Sequence, residues 1–599
     1  MRNPQCRLHA PLLAAAALGT LLGVACARQE TPPEAGEAEA RSPSRAPAAI
    51  FLDGAPQAGL DFVHFNGMSG EHYLNEIMGG GAALLDYDND GDLDLYLVQG
   101  HMLGDGRTLA DASFPPRHPE PLTDRLYRND LRPGPDGAPE LRFTDVTGAS
   151  GALSGGYGMG VAAADFDNDG WVDLYVTNFG ANQLLRNRGD GTFEDVTEAS
   201  GAGDRRWSVA ATFLDFDRDG WLDLYVGNYV RLSLAAHAPC ALPSGVLSYC
   251  GPGAYEPERD SLFRNLGDGT FENVSASSGI RTDRGAATLG AVAADLDADG
   301  WIDLFVANDS MANHLWINQR DGRFQNQALL AGVAVNQEGQ PEASMGVDAG
   351  DFDADGDPDL ILTHLDQESN TVYVNSGGGL FDDASIVTGL GLPSLAYTAF
   401  GTSWLDYDND GWLDVLAVNG AVVGLEPLIR AGDPFPLHQR NQLFRNLGTG
   451  RFAEVTAQAG DVFALSEVSR GAAFGDVDND GDTDVVVVNN NGPVRLLVNQ
   501  VGQDRSWTGL RLESHGRDAL GAVVSFPGAG GRPIWRRVHT DGSYASASDP
   551  RVLVGLGDGH DVGQVEVRWP EGSVEEFSAV AAGRYETLRR GQGRPVDVD

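Results

Sequence analysis

Seven copies of one aspartate-rich motif, Asp-x-Asp-x-Asp-Gly-x-x-Asp, are spread along the chain. They begin at Asp86, Asp165, Asp215, Asp295, Asp351, Asp406 and Asp476. Four carboxylates within nine residues repel one another unless a cation lies among them. The side chains at positions 1, 3 and 5 converge when the backbone curls, and the glycine at position 6 permits the sharp turn. Because every ligand is a hard oxygen, the motif predicts Ca²⁺ rather than zinc or copper.

The expected ligands are the aspartates at positions 1, 3, 5 and 9 and the carbonyl of the variable residue at position 7. Up to seven Ca²⁺ ions are predicted, at Asp86, Asp88, Asp90, Asp92, Asp94; Asp165, Asp167, Asp169, Trp171, Asp173; Asp215, Asp217, Asp219, Trp221, Asp223; Asp295, Asp297, Asp299, Trp301, Asp303; Asp351, Asp353, Asp355, Asp357, Asp359; Asp406, Asp408, Asp410, Trp412, Asp414; and Asp476, Asp478, Asp480, Asp482, Asp484. A solvated acidic loop is the alternative for any one copy, and seven repetitions disfavour it. The motif is not an EF-hand, because Leu97 stands where that loop requires glutamate.

The residues on both sides of each motif predict β-strands. Runs such as LDLYLV, VDLYVTN and TDVVVVN follow the motifs, and runs such as VAAADF and GAAFGDV precede them. Apolar residues at every second position are typical of half-buried strands. Each metal loop is therefore expected to join two strands of one sheet.

A second repeated signature lies downstream of the motifs, where a Phe is followed eight residues later by a Gly. It occurs at Phe143 and Gly151, Phe193 and Gly201, Phe271 and Gly279, Phe324 and Gly332, Phe381 and Gly389, and Phe452 and Gly460. The last motif lacks it, but Phe51 and Gly59 near the start of the chain have the same spacing. We therefore expect the strand near Phe51 to pair with the strand near Leu496 and complete the last unit, as in circular β arrays that leave no open edge. The prediction is an all-β fold with a seven-bladed β-propeller; an open row of separate calcium modules is the alternative.

The chain divides into five predicted segments. Residues 1–25 form a signal peptide, 26–48 a flexible tether rich in Pro, Glu, Ala and Arg, and 49–501 the propeller. Residues 502–593 carry alternating strands without the aspartate motif and predict a separate, small β-sandwich-like domain. Residues 594–599 are a tail.

The cysteines indicate export. The stretch GVAC ending at Cys26 resembles the lipobox of bacterial lipoproteins, which implies lipidation of Cys26 and favours the outer membrane; an ordinary cleaved signal peptide, with a periplasmic or extracellular product, is the alternative. Cys240 and Cys250 are expected to form a disulfide. No other segment is apolar enough to span a membrane, so any membrane contact is expected through the N-terminal lipid alone.

The charge balance excludes several chemistries. The chain has 599 residues and a net charge of −45, and all of its 41 basic residues other than histidine are arginine. Without lysine there is no P-loop lysine, no Schiff-base lysine and no lysine nucleophile. So acidic a chain is also not expected to bind nucleic acid, whose phosphates require clustered basic residues.

The motifs resemble the FG-GAP/VCBS repeats of integrin α-chain-like propellers. A fuller resemblance is to bacterial CRTAC1-like proteins with a C-terminal ASPIC/UnbV domain, carried by the motifs together with YCGPGAYEPERDSLFRNLGDGTF (249–271), AYTAFGTSWLDYDNDGWLDVLAVNG (396–420), RGAAFGDVDNDGDTDVVVVNNNGP (470–493) and, in the tail, DGSYASASDPRVLVGLG. This resemblance covers roughly residues 50–593 and implies a calcium-loop propeller followed by an ASPIC/UnbV domain. The drawn-out turn DLRPGPDGAPEL of the first unit departs from the pattern.

Two polar clusters are candidates for a ligand face. His364, Asp366 and Glu368 follow a predicted blade strand, and His72 and Glu76 precede the first motif. Loops at strand ends are where propellers gather ligand groups, although such polar groups also simply hold turns. Neither a G-x-S-x-G elbow with matching partners nor an HExxH motif occurs, and no catalytic residue is predicted.

The pattern favours a non-enzymatic, calcium-stabilised binding or adhesion module of the cell envelope that presents a propeller face to an envelope or extracellular protein or a glycan. A calcium-dependent propeller hydrolase or lyase acting on polysaccharide is the alternative. A third hypothesis, which rests on the name UnbV alone, is that the protein is an accessory protein of a biosynthetic cluster.

Overall fold

The computed structural model describes residues 49–118, 122–134, 139–241, 245, 247–281, 284–528, 532–559, 562–578 and 580–597. The predicted signal peptide, the tether and Cys26 lie outside the described residues. Strands are the main regular secondary structure of the described chain, the helices are short, and the all-β propeller prediction is confirmed.

The described residues contain seven four-stranded antiparallel sheets, here called blades and numbered by their aspartate motifs. Blades 1 to 4 consist of Ala82–Leu85, Asp94–Leu97, Arg125–Asn129 and Phe143–Asp145; Tyr157–Ala164, Asp173–Phe179, Gln183–Asn187 and Phe193–Asp195; Ser208–Leu214, Asp223–Asn228, Ser261–Asn265 and Phe271–Asn273; and Thr288–Ala294, Asp303–Asn308, His314–Asn318 and Phe324–Asn326. Blades 5 to 7 consist of Val347–Gly350, Asp359–Leu362, Thr371–Asn375 and Phe381–Asp383; Ala399–Leu405, Asp414–Asn419, Gln442–Asn446 and Phe452–Glu454; and Ser469–Gly475, Asp484–Asn489, Arg495–Asn499 and Phe51–Asp53.

Every aspartate motif connects the first strand of a blade to its second strand, so all seven lie at one end of the ring. We call this end the loop face. The connections between second and third strands lie at the other end, the far face. The first and second strands of the blades are buried on both sides because each blade packs on its neighbours, with Leu, Val, Ile and Phe side chains forming the cores between blades.

The last blade is completed by the first described strand, as predicted. Phe51–Asp53 runs antiparallel to Arg495–Asn499, with Phe51 opposite Asn499 and Asp53 opposite Leu497. This pairing covers the strand edge that an open array would leave exposed. The two ends of the propeller sequence are thereby tied together by backbone hydrogen bonds.

The Phe-to-Gly spacing has a physical cause in the contact between consecutive blades. In blade 2, the outer strand that begins at Phe193 is followed by a one-turn helix, Thr197–Ser200, and Gly201 ends that helix in the left-handed region at φ +75°. A Cβ atom at Gly201 would lie 3.2 Å from the carbonyl oxygen of Phe271 in blade 3. The equivalent approach joins Gly460 of blade 6 to the carbonyl of Phe51, so the pattern continues into the split blade.

A ring of asparagine side chains also links each blade to the one before it. The Nδ2 group of Asn187 in blade 2 donates to the carbonyl of Tyr87 in the loop of blade 1, at 2.8 Å. Asn129 of blade 1 donates to the carbonyl of Val477 in the loop of blade 7, also at 2.8 Å. The remaining members of the ring are Asn265, Asn318, Asn375, Asn446 and Asn499. The blades therefore form a closed circle of hydrogen bonds.

The C-terminal residues form two sheets that pack on the loop face. One sheet contains Ser506–Ser514, Arg517–Asp518, Val552–Gly557 and Tyr585–Arg589; the other contains Val523–Pro527, Pro533–Arg537, Gln564–Arg568, Val574–Ser578 and Arg594–Pro595. Their apolar side chains share one core with blades 2 and 3, and residues 47–599 form one compact unit. The C-terminal sheets therefore pack closely on the propeller, and their separation as a domain stays a prediction.

The centre of the propeller is occupied by residues 540–549, which we call the plug. The backbone of the plug pairs with innermost strands: Val161 donates to the carbonyl of Ala545 at 3.1 Å, and Ala547 donates to the carbonyl of Ala82 at 2.8 Å. At its tip, the hydroxyl of Tyr544 donates to the carbonyl of Met78 at 3.2 Å, and its ring lies edge-on to Phe400. The plug therefore enters from the loop face and reaches the far face.

The helices are short and lie in connections. The α-helices are Ala55–Ala58, Thr147–Ser150, Thr197–Ser200, Ala328–Ala331, Ser385–Thr388, Gly391–Ser394 and Glu426–Ala431, and the 3₁₀ turns are Leu74–Ile77, Leu109–Asp111, Leu234–Ala236, Pro252–Ala254, Thr456–Gln458, Asp461–Ala464 and Gly502–Asp504. The described residues also contain three two-stranded ribbons in connections of the blades. Arg132–Pro133 pairs with Pro139–Glu140, Val230–Arg231 with Glu256–Pro257, and Cys240–Ala241 with Leu247–Ser248. The first ribbon is the drawn-out turn of blade 1. None of the helices among the described residues combines the length and apolar character needed to cross a bilayer.

Candidate metal centres

The aspartates at positions 1 and 9 hold the shape of each loop, as blade 2 illustrates. Asp165 accepts hydrogen bonds from the backbone of Asp169 at 3.2 Å and of Gly170 at 2.7 Å. Asp173 is fully buried and accepts from the backbone of Phe166 at 3.1 Å and of Asn187 at 2.7 Å. The same donors recur in the other motifs, so these carboxylates replace backbone partners that the tight turn removes.

The aspartate at position 3 has a different environment. In blade 2, the outer oxygen of Asp167 forms an ion pair with Arg186 at 2.7 Å, while its Oδ1 atom is buried and has no hydrogen-bond partner. The same unpartnered Oδ1 occurs at Asp88, Asp217, Asp353 and Asp478. A buried acceptor without a donor is costly, and repetition of the same orphan in one structural position indicates a ligand that completes it.

The carboxylates converge closely enough to share one cation. Oxygens of three aspartates lie within 4.8 Å of one another in clusters that include Asp86, Asp88 and Asp90; Asp165, Asp167 and Asp173; Asp215, Asp217 and Asp223; Asp295, Asp297 and Asp299; and Asp351, Asp353 and Asp355. Oxygens that bind one Ca²⁺ at about 2.3–2.6 Å are at most about 5 Å apart. The residues present therefore fit Ca²⁺, and the left-handed glycine at position 6, such as Gly170 at φ +89°, supplies the turn that this geometry requires.

Burial makes the charged form of these aspartates unfavourable when no cation is bound. Desolvation raises the pKa of Asp165 to about 6, and backbone hydrogen bonds from Gly170 oppose the shift. Desolvation also raises the pKa of Asp94 to about 9, against the hydrogen bond from the backbone of Asn129. A divalent cation at the centre of the cluster would favour the ionised form, so metal binding and proton release are coupled at these loops.

In five of the seven motifs the side chain at position 4, to which the sequence pattern assigned no role, joins the loop to the next one; in blades 4 and 5 this residue is alanine. Asn89, at φ +56°, donates through Nδ2 to the carbonyl of Gly170 in the next loop, at 2.9 Å. Asn479 of blade 7 donates in the same way to Gly91 of blade 1, at 3.3 Å. Asparagine tolerates the left-handed region better than most residues, which explains its use at this position.

Position 7 also does more than the sequence indicated. The indole of Trp171 lies directly against Gly189, whose Cβ atom, if present, would be 2.5 Å from the ring nitrogen. Trp221 and Trp412 contact Gly267 and Gly448 of their own hairpin turns in the same way. The tryptophan thus packs the metal loop onto the outer hairpin of its blade, in addition to the predicted contribution of its carbonyl.

Sequence reasoning also missed the Arg-Asn pair of the third strands. Arg186, Arg264 and Arg445 each form ion pairs with the aspartates at positions 3 and 5 of their own loop. The asparagine that follows forms the interblade ring described above. The signal was present, because an asparagine ends the third strand of every blade at the same place relative to the hairpin.

The C-terminal sheets cover the loop face with arginines. Arg517 donates to Asn168 at 2.7 Å and to the carbonyl of Gly220 at 3.2 Å, so it bridges two loops. Arg551 donates to the carbonyl of Asp476 at 2.8 Å, and the hydroxyl of Tyr585 donates to the carboxylate of Asp476 at 2.9 Å. The candidate metal centres therefore lie at the junction of the two parts of the chain.

The predicted ligand-face residues lie at the far face. Glu76 is buried, and its carboxylate accepts from the hydroxyl of Tyr249 at 3.1 Å and the backbone of Ser69 at 3.2 Å. Desolvation raises the pKa of Glu76 to about 7, and the hydrogen bonds from Ser69 and Tyr249 oppose the shift. His72 has a left-handed backbone at φ +59° and lies edge-on to Tyr249. This group is connected to the disulfide loop, since Tyr249 precedes Cys250.

The second predicted cluster is separate from the first. His364 is buried, desolvation lowers its pKa to about 3, and neither ring nitrogen has a hydrogen-bond partner; the nearest carboxylate, Glu342, is 4.0 Å from Nε2. Glu368 accepts from the backbone of Ala343 at 2.9 Å, and Asp366 contacts the hydroxyl of Thr398. Within the described ranges, no hydrogen bond or ion pair joins this cluster to His72 and Glu76. Its role as a ligand face stays a prediction.

The predicted disulfide is present: Cys240 and Cys250 are bonded, with their Cα atoms 5.1 Å apart. It joins the two ends of a far-face loop that contains the ribbon Cys240–Ala241 with Leu247–Ser248. Structural disulfides persist in oxidising compartments, so the bond is consistent with an exported protein.

Comparison with known families follows the same division of the chain. A family model described as FG-GAP-like repeat matches residues 165–226, 250–306, 295–362, 351–417 and 431–487, and one described as ASPIC and UnbV matches residues 512–595. The fold and its acidic loops thus define an FG-GAP repeat propeller joined to an ASPIC/UnbV domain.

Similar curated proteins carry one name. Cartilage acidic protein 1 of Xenopus tropicalis is 26% identical over 345 residues, which are 55% of this chain and 49% of the relative. The Homo sapiens protein is 24% identical over 342 residues, 56% and 48% of the two chains. The chain spans about half the length of the curated relatives it matches. The family matches and these relatives are consistent with a CRTAC1-like protein.

Solved structures with similar topology are more distant. The BP39L lectin from Burkholderia pseudomallei has a TM-score of 0.40 at 10% identity, covering 71% of this chain and 96% of the lectin. BBS1N in complex with ARL6DN has a TM-score of 0.38 at 10% identity, covering 76% and 98%, and YCF48 bound to D1 peptide has 0.38 at 7%, covering 77% and 99%. Likenesses of this size carry no information on function.

Proposed function

We propose that this protein is an exported, calcium-stabilised binding module, in which up to seven Ca²⁺ ions fix the loop face and the far face is presented to a partner. The observation that carries the calcium part is the repeated orphan oxygen at position 3. Asp167 shows the pattern: the outer oxygen is satisfied by Arg186, and the inner oxygen is buried without a donor among converging carboxylates.

The metal would act on the whole molecule rather than on one loop. Most of the loops are linked to the next loop through position 4, and the loops are also linked to the preceding blade through the asparagine ring and to the C-terminal sheets through Arg517 and Arg551. A ligand that binds the folded state alone stabilises it by mass action, and each filled site adds to the effect. Extracellular-type sites bind Ca²⁺ at roughly 10⁻⁴–10⁻³ M, a concentration available outside the cytoplasm.

The arrangement of the central channel favours binding over polysaccharide cleavage. The enzyme alternative predicts acidic or His/Tyr groups that converge on an open channel. In the structure the channel holds the plug, and polar side chains of the plug bond within the protein: Ser546 donates to the carbonyl of Tyr544, and Asp541 accepts from the backbone of Ala293 at 2.6 Å. A partner would therefore bind the far face or the rim rather than the channel.

Metal content and thermal unfolding test the proposal. Protein without its first 48 residues is stripped with EGTA and compared with protein in millimolar Ca²⁺, with Mg²⁺ at the same concentration as the control. We expect several Ca²⁺ ions per chain by mass spectrometry and a clearly higher Tm with Ca²⁺ than with EGTA. Mg²⁺ should restore less, because it dehydrates reluctantly and demands a tighter octahedral shell. Equal Tm values in EGTA and in Ca²⁺ would mean that calcium does not stabilise the protein.

The proposed function requires that the protein is located outside the cytoplasm. Ca²⁺ at these concentrations and a stable disulfide both require a compartment outside the cytoplasm. Lipidation of Cys26, and with it attachment to an outer membrane, stays a prediction, which mass spectrometry of the protein from its native host would check. Recovery of a mature chain that begins after Cys26 would contradict the lipid anchor without affecting the calcium sites.

A further inference from the structure

A groove rich in arginine lies on the far face between blades 3 and 4, outside every site described above. Its volume is about 810 Å³, within the range of ligand clefts. Five arginines line it: Arg206, Arg231, Arg259, Arg281 and Arg284. In a chain with a net charge of −45, so many cations around one opening are unexpected, and we call this site the arginine groove.

Two of these arginines have no internal function. Arg281 and Arg284 are exposed, and neither makes a hydrogen bond or an ion pair with any residue that the structure describes. Most arginines of the loop face, by contrast, are engaged by aspartates, as Arg186 and Arg264 are. Glu256 and Glu258 also line the groove, and Glu258 pairs with Arg231, so the five arginines leave an excess of positive charge there. An anion that binds between the arginines reduces their mutual repulsion.

The walls of the groove are built from fixed backbone. Arg206 donates to Ser261 and to the carbonyl of Arg259 and forms an ion pair with Asp204. Ala286 donates to the carbonyl of Glu258 at 3.1 Å, and this hydrogen bond holds the segment that follows Arg284 against the opposite wall of the groove. A groove with both walls fixed loses little conformational entropy on binding.

The remaining lining indicates the class of ligand. Tyr255, Pro257 and Met311 give the groove an apolar strip beside the guanidinium groups. Planar guanidinium groups pair bidentately with carboxylate and sulfate, and the apolar strip suits the C–H face of a pyranose ring. An acidic peptide fits less well, because it would gain affinity by adding a strand, and Pro257 in the nearby ribbon has no N–H to offer.

We propose that the arginine groove binds an anionic polysaccharide through its carboxylate or sulfate groups, with Arg281 and Arg284 as the principal contacts. Arg231 contributes part of its charge, because its side chain is two-thirds exposed although it pairs with Glu258. The acidic remainder of the surface repels polyanions, so binding is confined to this groove. This assignment rests on the proposed binding role and names its ligand.

Binding is measured by biolayer interferometry with the calcium-loaded protein at physiological ionic strength. The immobilised probes are hyaluronan, which carries carboxylates, dextran sulfate, neutral dextran and poly-L-glutamate. We expect binding to hyaluronan or dextran sulfate, the stronger of the two identifying the anion, and none to neutral dextran. Equal or stronger binding to poly-L-glutamate would overturn the assignment to a polysaccharide.

Charge reversal locates the site. The R281E/R284E variant should bind roughly tenfold to a hundredfold more weakly, the loss expected for one or two charge-assisted contacts. The control is R323E/R451E, which changes the net charge equally at two exposed arginines that have no side-chain partner among the described residues. R281K/R284K keeps the charge but loses the planar fork and should bind with intermediate affinity.

The outcomes separate this inference from the proposed function. Equal losses in R281E/R284E and R323E/R451E would mean that only overall charge matters and would overturn the groove assignment. Wild-type protein that is stabilised by Ca²⁺ but binds neither polyanion would also overturn it, while the calcium sites would stand. Because neither Arg281 nor Arg284 makes a hydrogen bond or an ion pair with a described residue, the Tm of R281E/R284E should equal that of wild type, and an unchanged Tm would show that any loss of binding is local.

Discussion

The loop face and the far face of the propeller use charge in opposite ways. At the loop face, aspartates are repeated with one spacing, converge within 4.8 Å and are mostly buried or half-buried. At the far face, the ionisable groups follow no repeat: Glu76 and His364 are buried singly, and Arg281 and Arg284 are exposed. Charges that recur at the same backbone position of every blade can stabilise the whole ring. Charges that occur once can instead bind a partner that contacts a single place.

A buried cation at the far face sharpens this contrast. Arg470 is fully buried and forms no ion pair with a carboxylate in the part of the chain that the structure describes. It donates to the carbonyls of Ile77, Gly420, Ser469 and Ala421 and lies over the ring of Phe400. Desolvation lowers its pKa to about 9. The loop face pairs its carboxylates with arginine and backbone N–H groups, and the far face pairs a buried arginine with backbone carbonyls.

Removal of calcium should have the largest effect. If all seven loops are filled in millimolar Ca²⁺, chelation should lower the free energy of unfolding by about 3–10 kcal/mol. This is seven times the stabilisation that Ca²⁺ binding gives at one weak site. Hydrogen exchange should rise first at the loops and in residues 540–551, because Arg551 and Arg517 contact the loops. Exchange at residues 284–290 of the far face should change least, and uniform exchange over both faces would contradict the division.

Replacement of Arg470 should have the next largest effect. Arg470→Met leaves several buried carbonyl groups without donors and should cost roughly 3–5 kcal/mol of stability, with or without Ca²⁺. Arg470→Lys keeps a charge and part of the hydrogen bonding and should cost less. Denaturant unfolding in Ca²⁺ and in EGTA measures both. A cost that disappears in EGTA would mean that Arg470 acts through the metal loops.

Glu76→Gln should show a pH-dependent gain. The pKa of Glu76 rises from 4.5 to about 7 on folding, so the folded state holds more protons between these values and stability falls as the pH rises through this window. The penalty is complete above pH 7, where Glu76→Gln should stabilise the protein by about 3 kcal/mol. Below pH 4.5 the two proteins should be equal. Glu198→Gln, at an exposed position, is the control, and a gain that does not depend on pH would contradict the explanation.

Asp353→Asn should have the smallest effect, with a change of sign. In Ca²⁺ it removes a charged ligand from one loop and should cost about 1–2 kcal/mol. In EGTA it removes a buried charge whose Oδ1 has no partner, so the cost should vanish or become a gain. Asp321→Asn at an exposed turn is the control, since Asp321 makes no hydrogen bond or ion pair with a described residue. A loss that is the same in both conditions would mean that Asp353 is not a metal ligand.

Local patterns predicted the ring well because it is built from repeats. The alternation around each motif located the paired strands, and the displaced Phe51 to Gly59 segment predicted the closure that pairs Phe51 with Asn499. The disulfide between Cys240 and Cys250 followed from the compartment. The Asn-to-carbonyl ring was visible as an invariant strand end but had no meaning until the next blade was in place.

The far face was less predictable because its residues are not repeated. His364 is a plausible ligand in the sequence, yet packing buries it with neither nitrogen paired. The arginine groove combines residues from 206 to 311 that no short window contains together. Their proximity is decided by how blades 3 and 4 pack, not by any motif.

The sequence by itself determined the repeated chemistry: seven aspartate loops, the strands on either side of each, the closure by Phe51 and the disulfide. These depend on local backbone geometry, in which a glycine, a turn and alternating apolar residues act within a few positions. Only the tertiary structure decided that residues 540–549 fill the channel, that Arg517 and Arg551 join the C-terminal sheets to the metal loops, and that five arginines meet at one groove. These contacts join residues tens to hundreds of positions apart, and their energies arise only when the ring is closed.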